Sequence, residues 1–483
     1  MKNNEVPFVR GFLNVMAAAA AFVFAGAAPA ATVTRVVLND GGSIALYNPA
    51  VAVDTAGNLH IAAVGTDSAV LDKDLNELYY IRVSPSGTIL TPLTQVNDAD
   101  TSAEGRPRIV ATSGNKAVIV WRSYSSEAVR AALINPALAP ASVVEIGETA
   151  VGTVTSNVGH MAAAIDSSDR VHVIVNHGGT NMTHMRFAAA DLDSTDVTNG
   201  VAEHDIGRGV YQTYRELGLA ADPSGNLHIA YQDSSDSAPA YMMLDNDGAV
   251  LIDETLLFER DGANPEGSHS SIAADASGVY IVYADRRENI YYQISDGSYQ
   301  GGTTFFSRID PSLAAQDGSA GDIDVLRVGS EVRLGGFWYS KSFLGSDGRI
   351  HVLAGVGQKG NGDLAYASVS RSGDSPKSTL ITASNGGLQF YRHFPVGAGS
   401  AAVWAETVYS PTLTGLTMQL VMASVSALEA AASPVVVVRK EDDSFLGCAM
   451  RRGGHRAPVD PLLPLLAALS AIYLLRRRVR AIH

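Results

Sequence analysis

Two short apolar runs separated by a polar turn recur along this chain of 483 residues. The clearest copy is 217–233, LGLAADPSGNLHIAYQD, and looser copies begin at positions 50, 161, 271 and 345. The Asp, Pro and Gly between the runs favour a tight turn, so each copy predicts a β-hairpin. Neither run alternates strictly between polar and apolar residues, so both faces of each strand are expected to be buried. The pattern predicts small sheets stacked between other sheets.

The turns divide the chain into repeating units. The turn residues are Gly57, Gly114, Asp169, Gly225, Gly278, Gly348 and Gly399, at spacings of 51 to 70 residues. A four-stranded propeller blade takes roughly 40 to 50 residues, so each unit has room for one blade and its loops. The widest spacing predicts an insertion at about 297–330. The alanine-rich first runs suit inner strands that converge on an axis. We therefore predict an all-β, seven-bladed β-propeller over residues 32–438.

The first strand of this body has no hairpin partner ahead of it. It reads TVTRVVL at 32–38, whereas the last unit, about 387–427, offers only three good strands. The N-terminal strand is therefore expected to become the fourth strand of the last blade. Such closure would hide the sheet edges that an open array leaves exposed.

Residues 1–31 have the pattern of a secretory signal peptide. Lys2 and Arg10 precede the apolar run MAAAAAFVFAGA, and Ala-Pro-Ala-Ala follows it. A basic start, a short apolar core and small residues at the end are typical of a segment that is removed after export by the Sec route, here near Ala30 or Ala31. A buried first helix is the alternative.

Residues 439–483 form a tail of different composition. Gly447 and Cys448 precede a basic spacer, an apolar run at 461–475 and four arginines within 476–480. Fifteen apolar residues are fewer than the about 20 that a full membrane span needs, and the terminal arginines suit a cytoplasmic membrane face. A plain C-terminal membrane anchor would explain these features.

The tail also resembles bacterial C-terminal sorting signals of the JDVT-CTERM type and, less closely, of the MYXO-CTERM type. It has Val-Asp-Pro-Leu where the former type has Asp-Val-Thr. The resemblance implies processing near Cys448 by a membrane-bound sorting protease. It also implies a place at the cell surface or outer membrane of a Gram-negative bacterium, either anchored in the membrane or released after processing.

Charge and cysteine usage narrow the list of partners. The chain has 35 basic and 49 acidic residues, and without the two terminal segments 24 basic and 44 acidic residues remain. So acidic a surface should repel nucleic acid and anionic lipid. The single cysteine lies in the tail, and a body of this size can bury a sufficient core without disulfides. We expect a monomeric body that needs no cofactor.

Candidate ligand-binding residues lie about six positions before each turn acid or its equivalent, where the inner strands should begin. They would surround one mouth of the central channel. The candidates are Arg106, Arg108, His160, Arg215, Glu216, His269, Arg392 and His393, with Asn48 at the same level of the first unit. They predict a site for a glycan or protein ligand with acidic or hydroxyl groups. A solvated rim without a ligand is the alternative.

The repeats also distantly resemble the Asp box of sialidases, Ser-x-Asp-x-Gly-x-Thr-Trp, where this chain has Asp-x-x-Gly-Asn-Leu-His. The resemblance implies a glycan-active hydrolase or lyase, with Tyr214 as nucleophile and Glu216 as its partner acid. Arg106, Arg215 and Arg392 would then hold a substrate carboxylate. Because the Arg-Ile-Pro motif of those enzymes is missing, a binding or scaffold module is the preferred reading.

Two further sets of repeated residues are predicted to be structural. The recurring histidines are His60, His172, His228 and His351. Blades would hold these imidazoles far apart, so we predict a repeated hydrogen bond between strands or blades and no metal site. The turn acids Asp54, Asp166, Asp222 and Asp275 are expected to cap their own turns and not to bind calcium.

Overall fold

In a computed structural model of the chain, the described residues form seven antiparallel sheets of four or five strands, each one blade of a β-propeller, and a separate two-stranded sheet. The structure describes residues 35–39, 44–67, 77–97, 103–123, 128–153, 161–176, 181–193, 202–206, 217–233, 239–257, 268–285, 292–293, 299–300, 303–313, 332–335, 340–356, 363–381, 395–409 and 416–434. The chain divides into the units Met1–Val438 and Arg439–His483, and the second unit lies outside the described residues.

The predicted all-β fold is confirmed by the strands. In chain order they are β1 Val36–Val37, β2 Ile44–Val53, β3 Leu59–Asp67, β4 Glu77–Val83, β5 Ile89–Gln95, β6 Ala103–Ala111, β7 Ala117–Ser123, β8 Ala128–Ile134, β9 Val144–Thr153, β10 Met161–Ile165, β11 Arg170–Asn176, β12 Met182–Ala188, β13 Ala202–Asp205, β14 Gly218–Ala221, β15 Leu227–Gln232, β16 Pro239–Leu244, β17 Val250–Leu256, β18 Ser268–Asp275, β19 Gly278–Asp285, β20 Tyr292–Gln293, β21 Tyr299–Gln300, β22 Thr303–Ile309, β23 Val332–Gly335, β24 Lys341–Leu344, β25 Ile350–Val356, β26 Asp363–Val369, β27 Lys377–Ile381, β28 Val396–Ala398, β29 Ala401–Tyr409, β30 Leu416–Ser424 and β31 Ser433–Pro434. One α-helix, α1 Val425–Ala431, follows β30 in the described part of the chain.

Each blade is a meander whose first strand is innermost. Blades one to four are β2 to β5, β6 to β9, β10 to β13 and β14 to β17. Blade five is β18, β19, β22 and β23, blade six is β24 to β27 with β31, and blade seven is β28 to β30 with β1. The inner strands of consecutive blades contact each other, and β28 contacts β2, so the ring is closed.

The core lies between the blades, because the second strands are apolar on both faces as their sequences predict. All six residues of β15 are buried. Val118 and Val120 of β7 share one hydrophobic cluster with Val171 and Val173 of β11 in the next blade. Each such side chain stabilises the fold by roughly 1.5–3 kcal/mol when it leaves water. The apolar runs therefore join neighbouring blades into one body.

The N-terminal strand closes the ring, as the sequence predicts. Val36 and Val37 pair with Met422 and Val421 of β30, and the Leu38 amide donates to the carbonyl oxygen of Leu420 at 2.9 Å. An ion pair adds to these backbone hydrogen bonds. Arg35 donates to Glu406 Oε1 at 2.8 Å, and the Trp404 indole donates to the same oxygen at 2.8 Å. The Glu406 side chain is only 1% exposed.

The chain after blade seven returns to blade six. Helix α1 packs by Val425 and Leu428, and β31 then pairs with β27 as a fifth strand. Glu429 of α1 accepts from Lys377 Nζ and from the Tyr366 hydroxyl, both at 2.7 Å. The strand β31 ends at Pro434, and residues from 435 lie outside the description.

Two details of the predicted repeat are refined. In blade two the residue with positive φ is Asn115, at 60°, and not its neighbour Gly114. In blade five the insertion expected at about 297–330 overlaps the connection that contains the hairpin β20–β21 and the connection from β22 to β23.

Within the described residues, no helix has the length and apolar character to span a membrane.

Candidate functional site

The recurring Asp and His residues form buried hydrogen-bonded chains within single blades. In blade four, Asp222 Oδ1 accepts from the Ser224 and Asn226 amides at 2.8 and 2.9 Å, which caps the turn. Its Oδ2 lies 3.3 Å from His228 Nε2, and His228 Nδ1 lies 3.0 Å from the Tyr241 hydroxyl. The carboxylate fixes the tautomer with hydrogen on Nε2, so the tyrosine donates to Nδ1.

The same contacts recur in other blades, although in blade six the Tyr366 hydroxyl donates to Glu429. His60 Nδ1 lies 2.7 Å from the Tyr80 hydroxyl, His351 Nδ1 lies 2.7 Å from that of Tyr366, and His172 Nδ1 lies 3.0 Å from His184 Nε2. These histidines are at most 1% exposed. The prediction that they are structural is confirmed, with the bonds joining strands of one blade. Among the residues that the structure describes, no group of three His, Cys, Asp or Glu side chains could hold a metal ion.

The polar positions predicted at the channel coincide with irregularities of the inner strands. Asn48 in β2, Arg106 in β6 and His269 in β18 each lie where the pairing with the second strand of the blade shifts. The shifts fall between Tyr47 and Ala50, between Glu104 and Arg108, and between Ser268 and Ser271. Asn48 also has a positive φ of 48°. Bulges bend a strand and redirect side chains, and they are frequent beside functional sites.

Cations from two blades act on one another electrostatically. Arg106 and Arg108 belong to the inner strand of blade two and Lys341 to that of blade six, and all three side chains are half-buried. Burial, followed by the positive charges of Arg108 and Arg106, lowers the pKa of Lys341 well below its ordinary value. Burial and the Arg106 charge lower the pKa of Arg108 to about 9. Because blades two and six are not adjacent, these charges interact across the central channel.

The guanidinium of Arg108 is partly held by the bulge itself. Its Nη1 donates to the carbonyl oxygens of Arg106 at 3.4 Å and Pro107 at 3.2 Å. Backbone acceptors of this kind orient the group without neutralising its charge. A guanidinium placed this way can still offer its other N–H donors to an oxyanion.

Lys341 is the residue that counting along the sequence missed. Lys341 and Arg108 occupy equivalent positions in the inner strands of their blades. Lys341 pairs with Leu353 and Arg108 pairs with Val120. Each of these partners lies two positions after the residue that corresponds to the recurring histidine. The candidates were located by counting six residues back from the turn acid or its equivalent, whereas Arg108 and Lys341 lie four residues before that position. A second count at four residues would have found Lys341.

The other candidates are not brought together by the described residues. His160, Tyr214, Arg215, Glu216, Arg392 and His393 lie outside them, as do the processing positions Ala30, Ala31 and Cys448. The backbone of His269 is described within β18, but its side chain is not. Among the channel positions predicted from the sequence, the structure therefore describes the side chains of Asn48, Arg106 and Arg108, to which Lys341 is added.

Neither a protein-family model nor a curated protein sequence matches the chain. Solved structures are similar in fold. The chain is similar to Aleuria aurantia lectin, with 10% identity over 70% of this chain and 96% of the lectin at a TM-score of 0.40. It is similar to an α-L-arabinanase of Penicillium chrysogenum, with 9% identity over 83% of this chain and 100% of that chain at a TM-score of 0.40. It is also similar to the NanB sialidase from Streptococcus pneumoniae, with 9% identity over 68% of this chain and 67% of that chain at a TM-score of 0.41.

Proposed function

We propose that the protein is an exported, surface-anchored β-propeller that binds a glycan or protein ligand at its central channel. The observation that supports binding is that three inner strands, β2, β6 and β18, have an irregular register at the level of a polar candidate residue, Asn48, Arg106 and His269. Bulges of this kind redirect side chains and are frequent beside functional sites. Polar and cationic groups from several blades around one channel can offer hydrogen bonds to an acidic or hydroxylated ligand.

Export and anchoring are supported by the two ends of the sequence. The N-terminal segment has the three parts of a signal peptide, and the tail combines Cys448, an apolar run and terminal arginines. These features would carry the propeller through the inner membrane and hold it at the cell surface. The acidic body would then face extracellular ligands.

A screen of acidic and neutral oligosaccharides and of peptides tests the binding function. A ligand at a hundredfold excess over its dissociation constant should stabilise the protein by about 2.7 kcal/mol, seen as a higher midpoint of thermal unfolding. Arg106→Ala should abolish that shift, whereas Arg130→Ala, on the third strand of the same blade, should retain it. Analysis of the glycans after incubation separates binding from cleavage, since shortened products would favour the hydrolase alternative. A complete panel without a stabilising ligand would leave only a scaffold.

A further inference from the structure

The two faces of the ring can be told apart by the connections that they hold. The turn face holds the turns between the first and second strands of each blade, such as 54–58 and 345–349, and the entry face is the opposite one. Turns of neighbouring blades lie side by side, since the Ser346 amide of blade six donates to the carbonyl oxygen of Gly399 in blade seven at 2.9 Å. The same face can therefore be followed from blade to blade.

The described chain leaves blade six toward the turn face. Because the strands of a blade are antiparallel, the connection 370–376 between β26 and β27 lies at the same end as the turn between β24 and β25. Lys377, the first residue of β27, is paired with Pro434, and Ser378 is paired with Ser433. The step from Ser433 to Pro434 therefore points toward the turn face, and Pro434 is the last residue that the structure describes.

Helix α1 fixes this exit point on blade six. Glu429 of the helix accepts from Lys377 Nζ at 2.7 Å, and Lys377 is the residue opposite Pro434. Leu428 of the same helix is buried in the cluster that blades six and seven share. An ion pair, an apolar contact and strand pairing therefore hold the end of the described chain at one place on the ring.

The N-terminal strand enters from the same face. Val36 pairs with Met422, close to the end of β30 at Ser424, which lies on the turn face, and β1 runs antiparallel to β30. The chain before Val36 therefore comes from the turn face. A Cβ atom added at Gly87, in the turn 84–88 of blade one, would lie 2.8 Å from Val36 Cγ1. The first strand thus begins beside a turn of this face.

We propose that the turn face is the side of the propeller that faces the membrane and that the entry face points away from it. This inference rests on the proposed surface anchoring and adds an orientation to it. The signal segment precedes β1 and the apolar tail follows β31, so both would hold the body by the same face. The body then keeps one orientation toward the membrane when the signal segment is removed.

This orientation leaves the candidate ligand positions open to solvent. The irregular pairing of β6, between Glu104 and Arg108, and that of β18, between Ser268 and Ser271, lie toward the starts of these strands and away from the turn face. The entry face also holds the connections from one blade to the next, among them 206–217, 257–267 and 382–395. Loops placed by a rigid scaffold commonly carry binding residues. A ligand can then approach without passing between the body and the membrane.

The test measures thiol accessibility in the full chain, reconstituted through its tail into vesicles of phosphatidylcholine. Ser86→Cys and Gln95→Cys form a matched pair in a Cys448→Ser background, because both positions are exposed and belong to the outer edge of blade one. Ser86 lies in the turn before β5 on the turn face, whereas Gln95 is the last residue of β5, at the entry-face end. The probe is a large polyethylene-glycol maleimide that cannot cross the bilayer.

We expect the vesicles to slow the labelling of Ser86→Cys and to leave that of Gln95→Cys unchanged, because the bilayer limits the approach of a bulky probe to the turn face. The difference between the two variants should be lost when the vesicles are dissolved in detergent. Ser372→Cys is a second variant on the turn face, since Ser372 is exposed in the connection 370–376 next to the exit. It should respond as Ser86→Cys does.

Flotation of the vesicles separates the orientation from the anchor. Protein that floats with the vesicles and is labelled equally at Ser86→Cys and Gln95→Cys, or more slowly at Gln95→Cys, overturns the orientation and leaves the anchor intact. Protein that does not float overturns the anchor and the orientation together. Floating protein with slow labelling at both Ser86→Cys and Ser372→Cys, and with rapid labelling at Gln95→Cys, supports both.

Discussion

The buried histidines make the stability of individual blades depend on pH. Burial lowers the pKa of His60 to about 4 and that of His184 to about 3, and it also lowers the pKa of His172 and His351. In the unfolded chain these imidazoles titrate near 6.5. Below that pH the unfolded chain takes up protons that the folded chain does not, so the free energy of unfolding decreases. The contribution is intact above about pH 6.5 and is lost as the pH falls toward 4.

We predict that the free energy of unfolding falls steadily between pH 6.5 and 5, by on the order of 1 kcal/mol or more for each such histidine. The turn acids do not contribute in this window, because the pKa values of Asp54 and Asp222 are held at about 2 against an ordinary value of 3.8. Their contribution is lost only below about pH 4. Urea unfolding at pH 7.5, 6.5, 5.5 and 4.5 measures the slope.

One single variant separates this effect from general acid sensitivity. His351→Gln should flatten the slope between pH 6.5 and 5, since it removes one buried imidazole. A wild-type free energy that is constant from pH 7.5 to 5 would contradict the prediction.

Turn residues also join neighbouring blades, which the repeat pattern does not reveal. Asp169 accepts from the Ser113 amide and hydroxyl of the preceding blade at 2.8 and 2.6 Å, and Asn115 accepts from the Thr55 hydroxyl at 2.5 Å. Both residues have a positive φ, at 58° and 60°. Glycine would adopt this conformation more readily, but it has no side chain to reach the next blade. The sequence predicts a turn at each of these positions, but it does not show which turn of the neighbouring blade each one contacts.

At the scale of secondary-structure elements, the sequence predicts the features that recur from blade to blade better than the features found in a single blade. Hairpins and the closing strand follow from apolar runs and from a count of strands. The fifth strand of blade six could not be predicted, because two residues, Ser433 and Pro434, have no recognisable period. The bulges of β2, β6 and β18 depend on pairing with the second strand, which no single strand encodes. Arg106 and Arg108 could be proposed from their positions in the sequence. Their electrostatic interaction with Lys341, which lies in a non-adjacent blade, could be found only from the structure of the ring.

Closure by the N-terminal strand should depend on its ion pair with blade seven. Arg35→Met leaves the buried Glu406 carboxylate without this partner, and breaking such a pair costs about 3 kcal/mol. The double variant Arg35→Met/Glu406→Gln should recover part of that loss, because a neutral amide is cheaper to bury than a carboxylate. Urea unfolding of both variants and the wild type at pH 7.5 measures the difference. A double variant no more stable than the single one would show that the charge of Glu406 is not what Arg35 compensates.

At the scale of the whole molecule, charge restricts the class of partner. Between residues 32 and 438 the chain has 44 acidic and 24 basic residues, and such an excess of negative charge repels polyanions. We therefore expect nucleic acid to be an unfavourable partner for this part of the chain.

We predict that the mature protein is shorter than its precursor at both ends. Cleavage near Ala30 or Ala31 removes the signal segment, and processing near Cys448 removes the apolar tail. Intact-mass analysis of protein from cell-surface fractions measures both ends. Cys448→Ser should alter the C-terminal mass or the retention at the surface, and Ser444→Ala should alter neither. An intact C-terminus in the surface fraction would leave only the plain membrane anchor.

Ring closure also imposes an order of events during synthesis. The strand β1 is among the first parts of the body that the ribosome makes, and its partner β30 is among the last, with Arg35 and Glu406 separated by 371 positions. Domains generally fold as units. The ring can therefore be closed only after β30 has been synthesised, because β1 and β30 belong to the same blade. Blade seven joins an early segment of the propeller to a late one, so a chain that stops before β30 cannot complete the ring.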